Sequence, residues 1–365
     1  MTYVPILTII NTLQGKSMKK KDVVNLIRFH NEGDETGFNK QAMQIADDFY
    51  DSGDVELSRY IYSLLSDAST IVPQEDTTKH IGALQLFKIE SEPLYLPQQI
   101  KNNLIGIVNA VKRNIGLNTF LFYGHPGTGK TEASFNIARL LKRRLWKVNI
   151  SQLIDSHLGE TSKNINNLFE SINSYPFKKT MLVLFDEIDA LALRRDDSRD
   201  LREMARATTE LFKGLDGLDK DVVLIATTNM YKQLDSALVR RFVSKVSFDC
   251  YSREELIDIG LKLYRFYLNK IDGISNDERI VYKILNSIEK MPYPGELKNI
   301  IKSSLAFSNI DEPHDYLKRL IVELDPECDL SDALNLKEKF DFSTRDIELI
   351  TGVSKSEVAR RIKNG

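Results

Sequence analysis

At 365 residues the chain can hold two or three domains, and its 42% apolar and 28% charged content is that of a globular protein rather than a disordered or fibrous one. A net charge of −2 excludes bulk attraction to nucleic acid or an acidic membrane face, so any such binding must be local. No apolar run approaches the roughly 18 residues of a membrane helix. The two cysteines, Cys250 and Cys328, are far apart and lack metal-ligand spacing, which fits a reducing compartment. The opening "MTYVPILTII" has neither basic flanks nor a small-residue cleavage site, so a cytoplasmic protein without a signal peptide is expected.

Residues 1–75 read as a helical hairpin module. "KKKDVVNLIRFH" places Val23, Val24, Ile27 and Phe29 on one side, and "NKQAMQIADDFY" spaces Ala42, Ile45, Ala46 and Phe49 helically. "VELSRYIYSLLSD" repeats the pattern with Leu57, Tyr60, Ile61, Leu64 and Leu65. Residues 76–84 lack periodicity and are expected to be a linker. From 85 to 250 strands alternate with helices: "NTFLFYG", "LWKVNI", "TMLVLFDEID", "DVVLIATTN" and "FVSKVSF" are the strands. Their nearly continuous apolar runs predict a parallel sheet covered on both faces, an α/β doubly wound fold. Residues 251–312 are expected to form a helical lid, and 313–365 a C-terminal helical segment.

The first strand breaks into "GHPGTGKT", Gly124, His125, Pro126, Gly127, Thr128, Gly129, Lys130 and Thr131. Glycine and proline punctuate any tight turn. Between a strand and a helix, however, G-x-x-x-x-G-K-[ST] is a phosphate cradle. Backbone N–H groups and the helix dipole face the anion, Lys130 reaches the β- and γ-phosphates, and the Thr131 hydroxyl serves Mg²⁺. "LVLFDEID" then delivers Asp186 and Glu187 to the edge of the sheet. These acids either cap the next helix or hold the Mg²⁺ shell (Asp186) and polarise an attacking water (Glu187). "ATTN" ends a strand in Asn229, an amide able to bond that water or the γ-phosphate, and "LDSALVRRF" offers Arg240 and Arg241. Paired arginines at a helix end are either solvated charges or groups that stabilise a transferred phosphoryl.

This order of elements resembles the AAA ATPases within the AAA+ group of P-loop proteins. The likeness covers some two-thirds of the chain, from "LYLPQQIKNNL" to "PGELKNIIKSSL". It implies ATP and Mg²⁺ as cofactors, an ATPase, and a hexameric homo-oligomeric ring working on a macromolecule at its pore. By the same likeness Thr131 and Asp186 serve the metal, Glu187 activates water, Asn229 senses nucleotide, and Arg240 and Arg241 act on the neighbouring subunit. Arg206 would line the interface between subunits. The first pore loop corresponds to His157, Leu158 and Gly159, where many members carry an aromatic followed by an aliphatic residue. Gly295 stands where broader AAA+ proteins carry a sensing arginine.

The last 25 residues resemble a helix-turn-helix, with Ile347, Leu349 and Ile350 toward a core, Gly352 at the turn, and Ser354, Lys355, Ser356 and Arg360 exposed for groove contacts. Glu348 stands where a small residue usually lets the two helices approach, and from Phe340 onward five basic residues meet only four acidic ones. The N-terminal helices are the expected client adaptor. The overall layout resembles bacterial or phage-type AAA ATPases paired with subtilisin-like proteases in defence loci, which implies a possible protease partner. Three readings stay open: a remodeller of protein partners, a DNA-associated ATPase anchored by the C-terminal helices, and a nucleotide-dependent scaffold.

Overall fold

The computed structural model describes residues 20–52, 54–65, 80–88, 93–154, 159–192 and 200–364. The chain divides into two compact units, one of residues 1–81 with 174–178, the other of 82–173 with 179–365. The first unit contains α1 (Lys20–Glu32), α2 (Glu35–Ser52) and α3 (Val55–Leu65). Asp34 and Asp54 start the second and third helices by accepting hydrogen bonds from the Gly37 and Leu57 N–H groups. Ala42, Ile45, Ala46 and Phe49 are buried, as their spacing predicts. On α1 the inward row is Val23, Leu26 and Phe29 instead, while Val24 and Ile27 are 62% and 58% exposed. Tyr60 and Leu64 on α3 likewise face out. Helical spacing admits two adjacent apolar rows, and the partner helix selected the other one.

The second unit is built on a sheet. Its strands are β1 (Leu84–Phe87), β2 (Thr119–Tyr123), β3 (Arg144–Val148), β4 (Met181–Phe185), β5 (Val223–Thr228) and β6 (Ser244–Ser247). They lie in the order β1-β3-β4-β5-β2-β6, parallel except for β1, which runs antiparallel to β3 with Leu84 opposite Val148. Leu84, at the end of the expected linker, is thus a strand residue and fully buried. Every residue of β4 and β5 is buried, which requires the near-unbroken apolar runs and satisfies their backbone groups in the ladder. Helices α4 (Gln98–Lys112), α5 (Lys130–Leu140), α6 (Ile150–Leu153), α7 (Glu160–Ser174), α8 (Asp189–Ala192), α9 (Asp200–Asp216) and α10 (Ser236–Arg240) connect them. From β2 the chain crosses to β3 and returns through β4 and β5 on one side, whereas β6 lies on the other side of β2, so the strand order switches beside β2 and leaves a crevice at the strands' carboxyl ends.

Seven further helices follow: α11 (Arg253–Leu268), α12 (Glu278–Ser287), α13 (Pro294–Ala306), α14 (Asp315–Leu324), α15 (Ala333–Phe340), α16 (Thr344–Thr351) and α17 (Lys355–Asn364). They share one apolar core, running from Ile257 through Leu297, Leu320 and Leu336 to Ile347, Ile350 and Val358. The C-terminal segment therefore packs into the same core as the lid helices. A buried Asp346 ties the two together, accepting from Arg279 of α12 while also capping α16 through Ser343. Glu348 fits between α16 and α17 because its carboxylate accepts the Lys355 N–H at 3.0 Å, capping the second helix where a bulky side chain would otherwise obstruct. Among the described residues no helix is long and apolar enough to cross a membrane.

Candidate active site

The cradle follows β2 and opens α5. Gly124, Gly127 and Gly129 all have left-handed φ, at 147°, 75° and 91°. At Gly124 packing adds a second reason, because a Cβ would stand 2.8 Å from the Asp249 carboxylate. The Lys130 ammonium lies inside the loop and donates to the carbonyls of Gly124 and His125 at 2.8 and 2.7 Å. Burial pushes it below the usual lysine value, against the pull of Asp249 and Asp186. The Thr128 hydroxyl closes the turn on the His125 carbonyl at 2.8 Å.

Asp186 and Glu187 leave β4 at the same edge. Asp186 Oδ1 accepts from the hydroxyls of Thr131 and Thr227, both at 2.8 Å, and its Oδ2 accepts from Lys147 at 2.6 Å. Burial alone would raise this carboxyl, but the donors Lys147, Thr227 and Thr131 outweigh it and hold the group below the ordinary aspartate range. Glu187 has a left-handed φ of 58°, a cost of about 1–2 kcal/mol for a residue with a Cβ. The Thr227 hydroxyl accepts its N–H at 3.0 Å, and the next N–H, of Ile188, bonds the Thr227 carbonyl. That turn exposes the Glu187 carboxylate to the cleft lined also by Lys130, Thr131, Asp186 and Asn229. The oxygen set of Thr131 and ionised Asp186 is that of a hard divalent cation such as Mg²⁺.

The lid closes the cleft. Gly295, at the start of α13, donates its N–H to the Gly127 carbonyl at 2.7 Å, and a Cβ there would lie 2.9 Å from the Gly127 Cα. The position read as a missing arginine is therefore a backbone-to-backbone contact that only glycine permits. Lys298, one helical turn later, is the lid cation lining the cleft. Lys298, Thr227 and Lys147 were not singled out by motif reading. The i+3 spacing of Lys298 from Gly295 and the first threonine of "ATTN" were the available signals. His125 stacks on Tyr293 with centroids 5.3 Å apart and bonds Asp249 through both N–H and Nδ1 at 2.7 Å. Tyr251 donates to the Thr128 carbonyl at 2.7 Å. Pro93, Leu94, Tyr95, Ile259 and Leu263 make the cleft's other end apolar, a surface suited to a planar base.

The two arginines differ. Phe242 is fully buried and anchors the end of α10. Arg241 bonds Asp216 at 3.0 and 3.1 Å, donates to the Ala237 carbonyl and lies 4.2 Å over the Phe212 ring. Arg240 is exposed, as is Arg206 on α9. In the expected pore loop, His157 and Leu158 lie outside the described residues, and Gly159 sits ahead of α7 with φ 88°.

Residues 120–250 match the family described as "ATPase family associated with various cellular activities (AAA)". An uncharacterised AAA family ATPase of Sinorhizobium fredii is 40% identical over 140 residues, 38% of this chain and 40% of the relative. A proteasome-activating nucleotidase of Methanoculleus marisnigri is 29% identical over 251 residues, 66% of this chain and 56% of its own. The chain thus spans between two-fifths and just over half the length of these relatives. The crystal structure of the FIGL-1 AAA domain with ADP aligns with a TM-score of 0.50 at 18% identity, covering 71% of this chain and 93% of that one, which is a likeness of fold. Residues 120–250, which hold the phosphate cradle and the acid pair, thus match the AAA family of ATPases.

Proposed function

We propose that the protein binds ATP with Mg²⁺ and hydrolyses it, and that it assembles into a ring, hexameric by family likeness, to remodel a protein partner in the cytoplasm. The observation that carries the reading is the convergence of the Thr131 and Thr227 hydroxyls on one carboxylate oxygen of Asp186, beside a Glu187 turned into the cleft. The Gly127–Lys130 N–H groups and the Lys130 ammonium would hold the phosphates. Thr131 and Asp186 would hold Mg²⁺, which when bound neutralises charge on the β- and γ-phosphates. Glu187 is the group that would take a proton from the attacking water, and Asn229 would orient that water with its amide. Lys298 would add a second cation from the lid.

Arg240, exposed at the end of α10, is the better placed of the arginine pair to reach a neighbouring subunit's nucleotide. Arg241 is held by Asp216 and Phe212 and would fix the geometry of its neighbour. Proteasome-activating nucleotidases among the relatives support a protein client. The N-terminal helices would select that client, the His157, Leu158 and Gly159 loop would grip it, and a separate protease partner would cleave it. The DNA-associated alternative is favoured only by the exposed Ser354, Lys355 and Ser356 on α17 and its approach. Against it, Arg360 and Arg361 are both paired with Glu357.

Steady-state ATP turnover with unfolded polypeptide and with duplex DNA separates the readings. Stimulation by polypeptide alone is expected. Stimulation by DNA, lost on substituting Lys355 and Arg360, would put the alternative first, and no turnover under any condition would leave the scaffold.

A further inference from the structure

Lys147 belongs to no motif, yet its ammonium makes the shortest contact at the acid pair. It sits on β3 opposite Leu184 of β4, so its side chain reaches across the end of one strand to the acid that leaves the next. Its Nζ is 2.6 Å from Asp186 Oδ2, whereas both threonine hydroxyls take Oδ1. The two oxygens thus have separate duties, one turned toward Thr131 and the other toward a resident cation. Asp186 is nearly buried and Lys147 about one-third exposed, so the pair is screened on one side only. Three carboxylates, Asp186, Glu187 and Asp189, fall within four residues here. A fixed positive charge beside them reduces the field that a divalent cation would meet.

We propose that Lys147 is a positioning residue and internal counter-cation of the metal site. It orients Asp186 through Oδ2, lessens the site's attraction for Mg²⁺, and so makes nucleotide binding less dependent on the metal. The inference rests on the ATP reading above. A lysine serving only to fill space at the end of β3 would not alter metal dependence, which gives the test its discrimination.

The test measures dissociation constants of a fluorescent ATP analogue for the full chain, with saturating Mg²⁺ and with EDTA. The ratio of the EDTA value to the Mg²⁺ value should rise about fivefold in Lys147→Met, the effect of removing one partly screened charge. Lys147→Arg should keep the wild-type ratio. Lys147→Gln, with a thermal melt matching wild type, guards against a methionine variant that fails to fold. A ratio unchanged or lowered in Met and Gln variants that still bind nucleotide would overturn the proposal. Failure of wild type to bind the analogue at all would instead overturn the ATP reading on which it rests.

Discussion

The candidate cleft and the C-terminal helix pair both carry polar residues that motif reading singled out, but the structure uses them in opposite ways. At the cleft, Lys130, Asp186 and Glu187 line one cavity, with Lys130 held by the loop carbonyls and Asp186 by Thr131, Thr227 and Lys147. At the C-terminus, Asp346 is buried under Arg279, Glu348 caps α17, and Glu357 holds two arginines, so most charges are satisfied internally. A charge facing a cavity with its partners behind it is available for chemistry. A charge whose partners surround it is a fastening. The distinction lies in placement, since the residue types are the same.

Substitution can break this contrast. Lys130→Ala should weaken binding of an ATP analogue by about a hundredfold, because it removes the charge-assisted contact to the phosphates. Equal binding by the variant would remove the cradle assignment. Gly295→Val should weaken nucleotide binding by about tenfold, since overpacking against the Gly127 backbone costs about 1–3 kcal/mol and must lift the lid or distort the loop. Titration with the analogue reads this directly, and wild-type affinity would show that lid contact is incidental.

Asp346→Ala should do the reverse, costing about 2–3 kcal/mol in denaturant unfolding while sparing nucleotide affinity. The partners of Asp346 hold its carboxyl below the usual range despite its burial, so its contribution is complete above about pH 4, the unfolded value. That contribution is lost as pH falls through the lower folded value. Unfolding free energy in wild type should therefore drop more steeply than in Asp346→Ala across the acid limb, and parallel curves would contradict the fastening. The smallest effect is expected at Arg360→Ala, within about 0.5 kcal/mol and without change in turnover.

Much of the sheet was legible because a strand buried on both faces admits little but apolar residues, as in "MLVLF" and "VLIAT". The cradle and the acid pair were legible because phosphate binding needs glycine and lysine at fixed spacing. What was not legible depends on contacts between distant segments. Thr227 meets Asp186 only when β5 lies beside β4, and Lys147 meets it only from β3. Neither threonine nor lysine in a strand announces such a partner. Gly295 reads in sequence only as a place where related proteins carry an arginine, and its close approach to Gly127, 168 residues away along the chain, is seen only in the fold. The α1 face was misread because Val23 and Val24 are equally apolar neighbours, and only packing against α2 decides between them.

The central claim, that Glu187 acts on ATP held between the cradle and Asp186, is tested most directly by pairing equilibrium binding of ATP with single-turnover phosphate release for wild type and Glu187→Gln. The account predicts equal binding, with phosphate release slowed by about 10²–10⁴ in the variant. Release at the wild-type rate by Glu187→Gln would contradict it.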